Sequence, residues 1–411
     1  MALLNPSRRT LGIFSAALFI FLFLGLYRTA TPSRPKPQLT DKLGLNNPPG
    51  QASGPGPPPA SGPLDTLHTT GRVLAEDLVF HDAPATYPRL TRLADGSILL
   101  AFTRLEPPTR ILTVKRSVDN GRTFEPWGEV TRCNGDCGNL FLLEVPATKS
   151  EPQTRVLAAF RNHDVVDPKA NRHLTYFRIT VCESLDGGRT WQYVSQAAEK
   201  PAPMGLWEPF MRIGGKGEIQ MTYSQELEPK DQDSIMRVSY DQGKTWSASK
   251  TISGGDEKLR DGMTGIATTT DQGRPALVMI FETTRRGRIF SLEAMVSYDD
   301  GDTWGHRQVV FDGTPEGTNA GAPQIEAFAN GGLAVVFMTD MDVEARKWPW
   351  KATVKIIFGG PLLDGKIQWR TPQDALPNTS LWPGIFKLSD TQLIAVCEHD
   401  KAIRGRILEW K

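Results

Sequence analysis

The chain has 411 residues, 39% of them hydrophobic and 23% charged, enough to bury a large core. Its 47 basic side chains nearly cancel the 46 acidic ones. Neither a basic nucleic-acid-binding stripe nor an acidic partner arm is therefore written into the composition.

Taken in chain order, residues 1–10 read as a cytosolic tail. Arg8 and Arg9 precede an apolar run from Leu11 to Tyr27, and Arg28 closes it. The positive flank and the length predict a transmembrane signal anchor over 11–27, with a cleaved signal as the alternative. Residues 28–70 are dominated by Pro, Gly, Ser and Ala. They cannot bury enough apolar surface to offset chain entropy, which predicts a disordered stalk. The remainder, 71–411, would then face the lumen or the outside as a single-pass type II protein, or be secreted if the leader is cut.

Within 71–411 one short motif recurs four times: SVDNGRTF from Ser117, SLDGGRTW from Ser184, SYDQGKTW from Ser239 and SYDDGDTW from Ser297. Asp-x-Gly suits a tight hairpin, because Gly supplies positive φ and Asp accepts from nearby backbone N–H groups. Asp119, Asp186, Asp241 and Asp299 are therefore expected to be structural. A second repeat is led by a Pro or small residue and carries two apolar strands. It starts near Tyr87, Glu144, Glu208, Thr264, Ala322 and Trp382, with Pro88, Pro146, Pro209, Gly265, Pro323 and Pro383 taken as equivalent. Six such units, each with about four short strands, predict an all-β, six-bladed propeller. The fifth unit has only the degenerate hairpin LLDGKIQW. The strand Gly71 to Phe80 and the segment GRILEWK are expected to share a blade and close the ring, leaving no free edge.

Cys133 and Cys137 lie close enough to bridge in an oxidising lumen, while Cys182 and Cys397 sit in strand-like runs as buried thiols. Asn378-Thr379-Ser380 is a glycosylation sequon. No metal-ligand spacing is present, and no cofactor motif or nucleophile elbow.

A propeller site is expected at the mouth of the central channel, where inner strands and their loops converge. Polar or aromatic residues beside the repeat prolines, or ending the second strand, are then the candidates. These are Asp82, Tyr87, Arg89, Glu144, Arg161, Asn162, His163, Trp207, Glu208, Tyr223, Arg260, Asp261, Glu282, Gln324 and Trp382. Carboxylates, a guanidinium, amides and aromatics together suit a carbohydrate partner. Glycoside hydrolysis needs two carboxyl groups, one of them protonated. Glu208 and Glu282 follow apolar residues on neighbouring units, a setting that raises a carboxyl pKa by desolvation.

The Asp boxes resemble those of the sialidase-like superfamily. Within it, TYPRL from Thr86, GLWEPF from Gly205, the stretch from Asp231 to Trp246, DGMTGIA from Asp261 and IFE ending at Glu282 are most similar to the fungal exo-arabinanase family, glycoside hydrolase family 93. The resemblance runs from about Val73 to Lys411. It implies a retaining, exo-acting enzyme that releases arabinobiose from α-1,5-linked arabinan; a monomer without a cofactor is expected. It also implies Glu208 as acid/base and Glu282 as nucleophile. The anchor and stalk depart from secreted members. A sialidase is the enzymatic alternative, but it needs a Tyr nucleophile from a late blade, and the last Tyr here is Tyr298, inside an Asp box. A non-catalytic glycan-binding propeller is the third reading.

Overall fold

The computed structural model describes residues 71–148, 152–166, 173–255, 257–287, 289–313, 317–344, 348–376 and 379–410. The expected anchor and stalk and the sequon Asn378 lie outside these residues. Among the described residues there is no helix.

Six antiparallel sheets form the blades. Two short strands come first, β1 (Gly71–Val73) and β2 (Leu78–His81). Blade one is β3 (Ala85–Arg92), β4 (Ile98–Glu106), β5 (Thr109–Ser117) and β6 (Glu125–Cys133). Blade two is β7 (Asp136–Val145), β8 (Arg155–Val166), β9 (His173–Ser184) and β10 (Gln192–Pro201). Blade three is β11 (Leu206–Ile213), β12 (Ile219–Glu228), β13 (Asp231–Ser239) and β14 (Lys250–Ser253). Blade four is β15 (Gly262–Asp271), β16 (Arg274–Thr283), β17 (Ser291–Ser297) and β18 (Gly305–Phe311). Blade five is β19 (Ala320–Ala327), β20 (Leu333–Thr339), β21 (Thr353–Gly359) and β22 (Gln373–Leu376). Blade six holds β23 (Ser380–Lys387), β24 (Gln392–His399) and β25 (Ala402–Trp410), completed by β1 and β2. Each blade's first strand packs on the next, and β23 packs on β3, so the ring closes. Closure is sealed as the sequence predicts, with Gly71 paired to Trp410 and Leu78 to Gly405.

The central strands of a blade are covered on both faces by neighbouring blades. They therefore read as unbroken apolar runs rather than alternating ones. LAVVFMT of β20 and TVKIIFG of β21 are buried at every residue. The four Asp boxes are one structure repeated. The Ser hydroxyl binds the Asp carboxylate and accepts the Gly N–H, while the carboxylate accepts from the Thr N–H and Thr hydroxyl. Partial burial pushes Asp119 and Asp186 up, but these bonds outweigh it and hold both at about 2. Blade five's substitute hairpin is tied from outside instead: Asp271 of β15 accepts from the N–H groups of Asp364 and Gly365.

What repeats six times without exception is a bulge in the first strand. In each blade the register slips at one point, beside a non-glycine residue of positive φ. These residues are Tyr87 (54°), Asn139 (53°), Glu208 (47°), Met263 (53°), Ala322 (51°) and Trp382 (52°). The left-handed region costs an L-residue about 1–2 kcal/mol, and bulges of this kind re-aim a side chain beside functional sites. The bulge corrects the sequence register in two blades. Leu140 and Thr264, not Pro146 and Gly265, correspond to Pro88, Pro209, Pro323 and Pro383.

Candidate active site

The bulges ring one mouth of the channel. The strand β4, β8, β12, β16, β20 or β24 supplies the residue opposite each one. In blade order these partners are Thr103, Arg161, Ser224, Glu282, Met338 and Glu398. Six bulge residues and six partners make the rim, and the chemistry is concentrated in blades two, three, four and six.

Glu208, at the bulge of blade three, is half-buried. Burial pushes its carboxyl up to about 8. Glu282 and Glu226 push the same way, whereas Arg161 and a hydrogen bond with Ser224 pull it down. Glu282, on the second strand of blade four, is pushed by burial only to about 6. The N–H of Ala322, from the bulge of the next blade, donates to its Oε2 at 2.8 Å, and Arg260 adds positive potential. Gly321 makes room for that carboxylate: a Cβ there would lie 2.5 Å from Glu282 Oε2 and 3.0 Å from Trp348.

Arg161 lies across Gly138 and donates to Asn139 Oδ1 at 2.7 Å and Asp136 Oδ1 at 3.2 Å. Its guanidinium stands over the rings of Tyr87 (5.6 Å) and Trp207 (5.5 Å). Tyr87 stacks on Trp382 at 4.6 Å. Burial drives the Tyr87 hydroxyl above its ordinary range, so it stays protonated. Arg260 bridges Glu226 and Gln232 at 2.8 Å each on the rim between blades three and four. Deeper, Arg89 and Gln324 line the axial cavity with Tyr87, Asn139, Glu208 and Met263.

Tyr87, Arg161, Trp207, Glu208, Arg260, Glu282 and Trp382 are thus brought together, with Arg89 and Gln324 below them. Six other candidates fall elsewhere. Tyr223 is buried in the packing between blades, and its hydroxyl accepts from Arg237 at 3.3 Å. Asp261 is fully buried between blades three and four, bound to the Ser253 hydroxyl and in an ion pair with Arg307 at 2.9 Å. The Asn162 amide turns away to Thr180 at 3.2 Å. His163 packs edge-on behind Trp207. Burial holds its imidazole at about 3, so it stays neutral and moves no proton. Asp82 is exposed on the loop before β3, with no hydrogen bond or ion pair to the rim. Glu144 likewise sits near the opposite end of β7, accepting from Ala94 N–H at 2.8 Å. Sequence reasoning did not single out Asp136, Asn139, Ser224, Glu226, Trp348 or Glu398. Glu398 takes the place in blade six that Glu282 takes in blade four, and burial pushes it up to about 7.

Cys133 and Cys137 are disulfide-bonded across the turn that carries Asp136, and Cys182 and Cys397 are buried thiols. Among the described residues no cluster of His, Cys, Asp or Glu could hold a metal ion.

No protein-family model matches the chain, and no curated protein does. Solved structures do. The α-L-arabinofuranosidase of Fusarium graminearum, in complex with an iminosugar inhibitor, superposes with a TM-score of 0.61 at 18% identity, covering 81% of this chain and 97% of that one. The α-L-arabinanase of Penicillium chrysogenum, complexed with arabinobiose, gives 0.60 at 18% identity, covering 83% and 98%. The NanB sialidase of Streptococcus pneumoniae gives 0.51 at 13% identity, covering 81% and 70%. The fold is the sialidase-like propeller. At such identities the likeness carries architecture, and function must rest on the rim itself. Tyr298, the last tyrosine, is bound to Asp271 at 2.5 Å beside an outer hairpin, and the final two blades offer no tyrosine at the mouth.

Proposed function

We propose that this propeller is a retaining glycoside hydrolase acting from the end of an α-linked, arabinan-like glycan. The observation that carries the reading is a pair of half-buried carboxyl groups on adjacent blades with separated proton affinities, Glu208 near 8 and Glu282 near 6. At neutral pH the first holds its proton and the second has lost it, the division of labour that glycoside hydrolysis needs.

In the first step a Glu282 oxygen attacks the anomeric carbon. The glycosidic C–O bond breaks, and the leaving oxygen takes the Glu208 proton. In the second step water attacks the glycosyl ester, Glu208 takes a proton from that water, and the bond to Glu282 breaks. Tyr87, Trp207 and Trp382 supply apolar faces for sugar rings, and Arg161 and Arg260 supply donors to hydroxyls. The two fungal structures support a furanose substrate, one holding arabinobiose and the other an iminosugar. The test is hydrolysis of linear arabinan by residues 71–411, with the first-formed product read by proton NMR. Retained anomeric configuration is expected. Inverted product, or no turnover on any α-linked arabinan, would sink the reading.

The pH dependence follows with its sign. Below about 6 Glu282 gains a proton and loses nucleophilicity, and above about 8 Glu208 has no proton to give. The kcat/KM profile should be a bell with its top near 7. Glu208→Gln should remove the basic limb and keep the acidic one. A second expectation concerns Gly321→Ala. Its methyl must displace the Glu282 carboxylate and break the bond from Ala322. A misplacement near 1 Å costs roughly 10²-fold in kcat. An unshifted melting curve should accompany that loss.

The same reading has the propeller held outside the cytosol by residues 11–27. The basic flank at Arg8 and Arg9 supports this, as does a disulfide suited to an oxidising compartment. Protease protection of the propeller in sealed microsomes is the expected result.

A further inference from the structure

Asp136 takes part in neither step of the mechanism, yet its carboxylate is buried between two guanidinium groups. It is 1% exposed and forms ion pairs with both Arg110 and Arg161. It opens β7, one residue before Cys137. The bridge to Cys133 closes the turn from β6 around it, so its backbone is pinned on both sides. Of its two cationic partners, Arg110 lies back in β5 and Arg161 faces the rim. A guanidinium in that position would otherwise carry a whole uncompensated charge into an enclosed site beside the proposed acid.

We propose that Asp136 is a positioning residue: fixed by Arg110 and the Cys133–Cys137 bridge, its carboxylate orients Arg161 and offsets its charge at Glu208. The proposal rests on the reading of Glu208 as the acid. The groups that face Glu208 are Arg161, Glu282, Glu226 and the Ser224 hydroxyl, with Tyr87 and Arg89 on blade one. Those facing Asp136 are Arg110, Arg161, His163 and Tyr87. Arg161 is the cation common to both sets. Asn at 136 keeps an acceptor for Arg161 and deletes the charge. The field at Glu208 becomes more positive, and its proton is held less tightly.

The experiment reads the Glu208 titration without turnover. A carboxyl whose folded pKa is raised contributes stability below its unfolded pKa and loses it as pH rises through the folded one. The Tm gap between Glu208→Gln and wild type therefore widens with pH and levels off at the Glu208 pKa. In an Asp136→Asn background that plateau should arrive at least half a pH unit earlier, and the basic limb of kcat/KM should move with it. In an Arg161→Met background Asp136→Asn should shift both by clearly less, since only its direct field on Glu208 is left. Cys133→Ser with Cys137→Ser, which keeps the charge and frees the turn, should shift the plateau the same way by less. If Asp136→Asn does not fold, adding Arg110→Met relieves one stranded cation and allows the same reading. An unmoved plateau, or an equal shift without Arg161, overturns the proposal. Since the plateau needs no substrate, that outcome is separate from a failure to find hydrolysis.

Discussion

Glu282→Ala should abolish turnover on every substrate, whereas Glu208→Gln should be selective. Removing an acid/base costs roughly 10²–10⁴-fold, but only where the leaving group needs its proton. On linear arabinan the Gln variant should therefore lose that factor. On an aryl arabinofuranoside, whose phenolate leaves unaided, bond cleavage should be nearly normal and hydrolysis of the ester should become slow. A burst of phenol is the expected signature. Glu282→Ala leaves an enclosed gap where the nucleophile stood, and azide should fill it and restore turnover with an inverted glycosyl azide as product. Azide should also speed the Glu208 variant, by attacking the glycosyl ester, but with a retained azide as product; an inverted azide from the Glu208 variant would mean that the two roles are exchanged. If neither variant loses turnover, the carboxyl pair is not the reacting centre.

The largest expected loss of stability lies away from the rim, at Arg307. Its guanidinium donates to Glu293 at 2.5 Å, to Asp261 at 2.9 Å and to Thr283 at 3.3 Å. Asp261 is 0% exposed and Glu293 is 3% exposed. Arg307→Met takes the guanidinium from two buried carboxylates at once, leaving Glu293 only Arg285 at 3.7 Å and Asp261 only the Ser253 hydroxyl. Breaking one side of a buried pair costs about 3–5 kcal/mol, which for a domain of this size is about 4–7 °C in Tm. Adding Asp261→Asn should restore part of that loss at pH 7. A melting point within a degree of wild type would mean that the network contributes nothing net.

The blade count, the structural Asp boxes and the shared sixth blade were legible because each rests on a local rule. A hairpin needs Gly and Asp, and an edge needs covering. The rim was legible where a proline marked it: Tyr87, Glu208 and Trp382 stand directly before Pro88, Pro209 and Pro383. It was not legible in blade two, where Gly138-Asn139-Leu140 makes the same bulge without proline. The proline of that unit, Pro146, stands at the far end of the strand, away from the residues that hold Arg161. What the blades share is a backbone conformation, and a side chain as different as Asn, Met or Ala can adopt it. Three further errors are of one residue. Asn162 is flanked by Arg161 and His163, Tyr223 precedes Ser224, and Asp261 precedes Gly262. On a strand, a slip of one sends a side chain to the opposite face. Glu398 lay hidden for a related reason. Nothing in CEHD distinguishes it from a solvated strand end until its register opposite Leu381 is known.

The sixth blade has a consequence for synthesis. Arg72 and Glu409 are bound to each other at 2.6 Å and stand 337 residues apart. At 5–20 residues per second the ribosome needs about 20–70 s to make the chain between them. For that time β1 and β2 have no partner, and five finished blades present an open sheet at each end. Such edges are templates for pairing with other chains. Nascent chains stalled before Ala402 should therefore be the species that associate or recruit chaperones, and a truncation there should fail through aggregation rather than lost catalysis.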